Sequence, residues 1–413
     1  MQLLVISQYF WPENFRINEL VSHLAAKGMQ VSVLTGKPNY PEGKIFPGYR
    51  AFGVGRDHFG GCEIVRLPIV PRGTRSELRL TANFLSFVLS GCLLAPFALR
   101  ERRVDAILVY APSPLLQALP AILIAWLKRA PLVVWVQDLW PESLSATGYV
   151  RNRALLWIAR AIVRFIYRHT DLILIPSRAF HDPIARIANS AVKIQYFPNS
   201  AENIFAVKND DRDDSELVAA IRRKFSVVFA GNIGSAQAVG TIIRAAEMLS
   251  NQPDIHFYLV GSGSETAWVE AELKRRRMHN VTMPGRLEVT AMPAVLSAAS
   301  VLLVSLKDEP IFGYTIPGKL QSYLAVGRPI IASMNGEGAR IVHEAKAGFA
   351  CPAENAPALA DAILALFAMT SDQLSKMGEN GRQYFFSNFN QGRLVDELVQ
   401  HLDAAILAHG VGG

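Results

Sequence analysis

The residues best placed to do chemistry lie in one strand-exit and helix-entry, residues 314–331, reading YTIPGKLQSYLAVGRPII. Pro317 suits a helix start, where a missing N–H is no loss, and Gly318 lets a ligand approach the backbone. Lys319 then stands where uncapped amides and the positive helix end already attract an anion. Glycines and small polar residues recur after other apolar runs of this half: Gly231-Asn232, Gly261-Ser262-Gly263 and Gly285-Arg286. Close backbone approach, free amides and a cation are what a nucleoside diphosphate requires. The GSGSET segment lacks the third glycine of a dinucleotide fingerprint and does not follow a first strand, so nicotinamide chemistry is not indicated.

The first half offers a different set. Asp138 follows an apolar run directly, with Trp140 and Glu142 beside it, and Asn14, Arg16 and Asn18 follow the first run. Carboxylates and tryptophans near one sheet edge suit a sugar, while an N-cap role for Asp138 remains open.

These residues need elements to hold them. Short Val/Ile-rich runs alternate with helix-length segments: 3–7, 31–35, 63–70, 106–111, 132–137, 172–177 and 192–197, then 226–232, 256–263, 280–285, 300–306 and 329–334. The rhythm predicts an α/β chain of two tandem Rossmann-like, doubly wound parallel-sheet domains. The expected organisation is an N-terminal domain over 1–200, a linker with an exposed helix over 201–224, a C-terminal domain over 225–375, and helices over 376–413. The last helix is expected to pack back on the first domain. The run NDDRDDSE at 209–216 reads as solvated linker.

Residues 1–200 carry 23 Lys/Arg against 12 Asp/Glu, although the whole chain is only +7. A basic half must face something anionic. Without an aromatic-interleaved binding motif, nucleic acid is a poorer match than an anionic membrane. Residues 80–99 hold no charge and are flanked by Arg72, Arg75 and Arg79 before and Arg100, Arg102 and Arg103 after. Three readings stay open for this stretch: an interfacial helix, a core helix and a transmembrane span. Residues 151–169 form a second basic helix, with arginines at 153, 160, 164 and 168. Cys62, Cys92 and Cys351 are widely spaced and suit a reducing, cytoplasmic setting, and the N-terminus reads as a strand rather than a signal peptide.

Taken together, ENFRIN, KGMQVSVLTG, TDLILIPS, FPNSAE, FAGNIG, YLVGSGSE, NVTMPGRL and PGKLQSYLAVGRPII resemble the retaining family 4 glycosyltransferases of GT-B fold over most of the chain. QYFWPENFRIN, PNYPEGK and VQDLWPES are similar to bacterial O-antigen and capsule enzymes that transfer L-fucosamine or N-acetyl-fucosamine. The resemblance implies two domains facing a cleft, a UDP-sugar donor and no metal or other cofactor. It implies Asn232, Gln237, Gly261, Gly263, Arg286, Tyr314, Pro317, Gly318, Lys319 and Ser322 at the donor. It also implies Asp138, Lys319 and Arg16 in catalysis, and Asn14, Asn18, Trp140 and Glu142 at the acceptor. The departures are specific. The family's glutamate pair is replaced by Tyr314 and Ser322, and its Arg and Lys after the first strand of the second domain by residues around Asn232 and Gln237.

The expected activity is hexosyl transfer with retention from a UDP-sugar to a polyprenyl-diphosphate-linked saccharide at the cytoplasmic face of the inner membrane. The rivals are a non-hydrolysing UDP-sugar epimerase and a two-lobed sugar-binding protein without chemistry.

Overall fold

The computed structural model describes residues 1–74, 76–143, 152–190, 193–201, 203–206 and 215–411. The chain divides into two compact units, Met1–Phe197 with Leu394–Gly413, and Pro198–Arg393.

The first unit is built on an eight-stranded sheet. Its strands are β1 (Gln2–Ile6), β2 (Gln30–Gly36), β3 (Gly55–Phe59), β4 (Cys62–Leu67), β5 (Ala106–Ala111), β6 (Leu132–Val136), β7 (Leu172–Ile175) and β8 (Ile194–Tyr196). Their order is β3-β4-β2-β1-β5-β6-β7-β8. All pairs are parallel except β3 with β4. Among the described residues the helices are α1 (Arg16–Ala26), α2 (Glu77–Ala98), α3 (Ala118–Lys128), α4 (Arg153–Arg168) and α5 (His181–Ala188). The central strands are apolar on both faces because helices cover both, and β5 and β6 are buried at every position.

The second unit carries β9 (Phe225–Ala230), β10 (Ile255–Val260), β11 (Val281–Gly285), β12 (Val301–Ser305), β13 (Ile330–Ser333) and β14 (Gly348–Cys351). Their order β11-β10-β9-β12-β13-β14 reverses between β9 and β12, the doubly wound arrangement in which ligands bind beyond the carboxyl ends at the reversal. Its helices are α6 (Glu216–Arg222), α7 (Val239–Met248), α8 (Thr266–Arg275), α9 (Met292–Ala298), α10 (Pro310–Tyr314), α11 (Gly318–Val326), α12 (Glu337–Glu344), α13 (Ala356–Phe367) and α14 (Ser371–Asn388). The final helix, α15 (Gln391–Val411), sends Leu394, Val395, Leu398 and Leu402 into the first unit's core beside Leu3, Val5 and Val33. Each such fully buried aliphatic side chain contributes about 1.5–3 kcal/mol.

Three elements escaped the sequence reading. The antiparallel edge strand β3, GRDHF, lacks apolar alternation and has no helix before it. Strand β14 is four residues long, and α10 only five. The segment 201–224 also needs correction. Its described part is no exposed linker helix, because Val218 and Ile221 of α6 and Ala201 are buried in the second core. Most of NDDRDDSE lies outside the described residues. The unit boundary falls before Leu394 rather than before 376, so α14 belongs to the second unit.

Candidate functional site

In the second unit a cavity of about 380 Å³ opens at the reversal point, lined by Gly231, Asn232, Gly261, Ser262 and Lys319 and by Arg286, Leu287, Met292, Leu296, Ser322 and Tyr323. Two glycines make the strand exits meet. Gly261 has φ +137°, and a Cβ there would fall 1.9 Å from the carbonyl oxygen of Gly231. A Cβ on Gly263 would fall 2.4 Å from the carbonyl of Ile233. Main-chain bonds then lock the loops: the Ile233 N–H donates to Ser262 O at 3.0 Å, and the Gly261 N–H to Gly285 O at 2.8 Å.

Lys319 is the chemical centre of this cavity. It stands in the first turn of α11, whose N-cap residue is Pro317 and whose start no side chain caps. Its Nζ lies 3.7 Å from the centre of the Phe229 ring. That nitrogen is shut off from solvent and has no hydrogen-bond partner. Burial lowers its pKa from 10.5 to about 7. A buried ammonium held only by a ring face is poorly satisfied, so an incoming anion gains the full benefit of pairing with it.

Of the residues named from the sequence, Asn232, Gly261, Arg286, Lys319 and Ser322 line this cavity together. Gln237 reaches it indirectly, accepting from the Asn232 amide at 3.4 Å, and Gly263 packs under Asn232. Pro317 and Gly318 set the helix start, and Tyr314 ends α10; none of the three lines the cavity. The Ser322 hydroxyl donates weakly to Gly318 O at 3.5 Å, so no carboxylate stands there. Sequence reasoning missed Tyr323, whose hydroxyl joins α11 to the β9 exit, and the apolar lining Leu287, Met292 and Leu296. In the sequence those residues look like ordinary core.

In the first unit Asp138 is half-buried after β6, and burial raises its pKa while bonds from Ser143, Ser113 and the Leu139 amide oppose the rise. The Trp140 indole N–H is spent on Ser113 Oγ at 2.9 Å. Asn18 is spent too, since its side chain accepts from the Trp11 N–H at 3.0 Å and donates to Glu13 O at 2.7 Å. That makes it a loop fastener rather than an acceptor-facing group. Arg16 and Asn14 are exposed. Glu142 and Ser143 border residues 144–151, which lie outside the described residues.

A residue not singled out earlier organises this end. Glu13 is buried, and its carboxylate accepts from the N–H groups of Asn39 at 2.7 Å, Tyr40 at 2.8 Å and Phe10 at 3.2 Å. Burial lifts its pKa from 4.5 to about 7. Beside it Asn83 of α2, fully buried, accepts from Gln8 Nε2 at 2.7 Å and from the Tyr9 hydroxyl at 2.9 Å, and donates to Val70 O at 2.6 Å. Asn83 is thus the hub binding α2 to three loops. Among the described residues no cluster of three or more His, Cys, Asp or Glu is arranged to hold a metal.

Helix α2 is turned inside out. Its buried side is Asn83, Phe87, Ser90, Gly91 and Ala95, whereas Leu78, Leu85, Leu89, Leu93 and Phe97 form an exposed stripe at spacings of seven and four. It is long and apolar enough to cross a membrane, yet only 28% of its apolar window is buried. Gly91 lies against Pro120 of α3, where a Cβ would meet the ring at 2.7 Å. The neighbouring helices expose Trp126 (74%) and Trp157 (72%), and Arg160, Arg164 and Arg168 are also on α4.

The comparisons agree with this architecture. Residues 14–200 match the glycosyl transferase 4-like domain family and residues 224–369 the glycosyl transferases group 1 family. The putative colanic acid biosynthesis glycosyl transferase WcaI of Escherichia coli is 27% identical over 346 residues, covering 79% of this chain and 82% of that protein. The probable glycosyltransferase WbjE of Pseudomonas aeruginosa is 26% identical over 332 residues, covering 78% and 80%. Sucrose-phosphate synthase from Thermosynechococcus elongatus has the same fold, with a TM-score of 0.74 at 19% identity over 99% of this chain and 100% of that one. HepE of Anabaena, solved in complex with UDP, superposes with a TM-score of 0.69 at 15% identity over 98% and 100%. With one half matching each family and the double Rossmann-like plan in place, the chain is a group 1, family 4-like glycosyltransferase of GT-B fold.

Proposed function

We propose that this transferase moves a sugar from a UDP-sugar to a polyprenyl-diphosphate-linked saccharide in bacterial surface-polysaccharide synthesis, with retention of configuration. The enclosed, unpartnered ammonium of Lys319 at the β9–β12 reversal carries the reading. It sits where a diphosphate leaving group develops charge, and electrostatic stabilisation of that charge is usually the largest single contribution to such rates. The apolar lining by Leu287, Met292 and Leu296 suits a base, and HepE, of the same fold, binds UDP. WcaI is named as a colanic acid biosynthesis glycosyl transferase and WbjE as a probable glycosyltransferase, which disfavours the epimerase reading. N-acetyl-L-fucosamine is the donor sugar to test first, and Asp138 and Glu142 are the groups proposed to orient the acceptor hydroxyl. We assign the reaction no metal and no other cofactor, so chelation should leave the rate unchanged.

The acceptor lobe is proposed to rest peripherally on the anionic cytoplasmic face of the inner membrane. The inverted stripe of α2, the exposed tryptophans of α3 and α4 and the adjacent arginines support this, since aromatic and basic groups suit a headgroup layer. UDP release by wild type and Lys319→Ala, with UDP-sugar and a lipid-linked acceptor, tests the reading. The variant should lose about 10²–10³-fold in turnover, and near-normal turnover would sink the assignment.

A further inference from the structure

A second cluster, in the first unit, is built as carefully as the donor cavity. Tyr9 and Phe15 stack with centroids 5.3 Å apart and planes 9° from parallel. Tyr40 tilts against both, at 5.9 and 5.3 Å. The Arg72 guanidinium comes from a third loop and rests 4.8 Å over Tyr40 and 6.0 Å from Tyr9. Burial raises the Tyr9 hydroxyl's pKa and outweighs the opposing Arg72 charge, so that hydroxyl stays a neutral donor. Arg66, by contrast, is paired with Asp57 at 3.0 Å; among the described residues Arg72 has no carboxylate partner.

The support behind these rings is buried and fully engaged. Glu13 grips the main-chain amides of Asn39 and Tyr40, the Arg72 main-chain N–H donates to Asn39 Oδ1 at 2.9 Å, and Asn83 receives the Tyr9 hydroxyl. The loop carrying Arg72 is also fastened along α2, because the Val70 N–H donates to Ser86 Oγ at 2.9 Å and Val70 O accepts from Asn83. The cation therefore stands at the carboxyl end of the sheet and beside the entry to the helix whose leucines face outward. Stacking on a ring uses the guanidinium face; one edge N–H reaches the Tyr9 hydroxyl, and the others remain on the edge that binds phosphate bidentately.

We propose that Arg72, poised on Tyr40 and Tyr9, is the phosphate-binding group for a prenyl-phosphate ester whose hydrocarbon chain lies along the outer stripe of α2. This rests on the lipid-linked acceptor reading and names the group that would recognise that acceptor. A phospholipid headgroup shares the anion's chemistry, so the test must tell the two apart.

Binding of farnesyl diphosphate, farnesol and phosphatidylglycerol vesicles to the full chain should be measured for wild type, Arg72→Ala and Arg72→Lys, with UDP binding recorded alongside. Wild type is expected to prefer farnesyl diphosphate over farnesol by about tenfold or more, the scale of one charge-assisted pair. Arg72→Ala should abolish that preference while UDP binding holds, and Arg72→Lys should keep part of it. An unchanged preference in Arg72→Ala, or none in wild type, overturns the proposal. So does a loss in Arg72→Ala confined to the vesicles, which would make the ligand a headgroup. If Arg72→Ala misfolds, an Arg72→Lys variant that folds and matches wild type in every arm overturns it equally. Wild type that binds farnesyl diphosphate through Arg72 but not UDP would instead refute the donor reading alone.

Discussion

The Tyr323 hydroxyl closes a two-way bond with the main chain of Ala230, accepting from its N–H at 2.9 Å and donating to its carbonyl at 3.3 Å. One helical turn earlier on the same face is Lys319, so this pair fixes the ammonium against the β9 exit. Tyr323→Phe would leave a buried N–H and carbonyl unpaired. A loss of about 1–3 kcal/mol is expected in urea unfolding, together with weaker UDP stabilisation; full UDP binding would show that Lys319 is positioned some other way.

Lys319 has a folded pKa of about 7, below the 10.5 of the unfolded chain. Between these values the unfolded state binds more protons, so this group's contribution to stability rises with pH across that window. Lys319→Met should therefore raise Tm most below pH 7, with the advantage shrinking toward pH 10, while UDP affinity collapses. In wild type, UDP affinity should fall as pH rises past 7, because binding then requires proton uptake; calorimetry in two buffers of different ionisation enthalpy reads that proton directly.

For Glu13 the sign is opposite. Its folded pKa of about 7 lies above the ordinary 4.5, so the native state holds a proton the unfolded chain has released, and stability is lost as pH rises through that range. Wild type should lose up to about 3 kcal/mol relative to Glu13→Gln between pH 4.5 and 7.5. Glu13→Ala, which strips an acceptor from three amides, should be worse than Glu13→Gln at pH 5.

Gly261→Ala places a methyl onto the Gly231 carbonyl and asks alanine for φ +137°. The β9 and β10 exits must separate, which should cost more than about 2 kcal/mol and remove UDP-induced thermal stabilisation. A crystal structure with both loops unmoved would contradict this.

Sedimentation with phosphatidylglycerol vesicles should pellet the wild type at low salt and much less at high salt, since exposed charge is screened. Glutamate at Leu85, Leu89 and Leu93 together should abolish pelleting without unfolding, because all three side chains already face solvent. Retained pelleting would remove α2 from the contact, and resistance to alkaline extraction would mean that it spans.

Much of this was legible in the sequence. Val/Ile runs at regular spacing announced two parallel sheets, because strands covered on both faces must be apolar throughout. Glycines after those runs, and Lys319 after Pro317-Gly318, pointed to the corner where the second unit's cavity opens. What stayed hidden has a common cause. The edge strand β3 has no buried face to impose a period, and Glu13 and Asn83 sit in stretches whose neighbours give no hint of the amides they serve.

The sequence by itself determined the layers, the strand exits and the residue types that gather at the cavity, since those follow from local periodicity and turn chemistry. Only the tertiary structure decided which polar groups were already spent. It committed Asn18 and Trp140 to neighbouring groups, left Lys319 facing a ring, and turned the leucines of α2 outward. Pairing and exposure are set by chain segments tens of residues apart, such as Asn83 with Gln8 or Tyr323 with Ala230, and no local pattern encodes them.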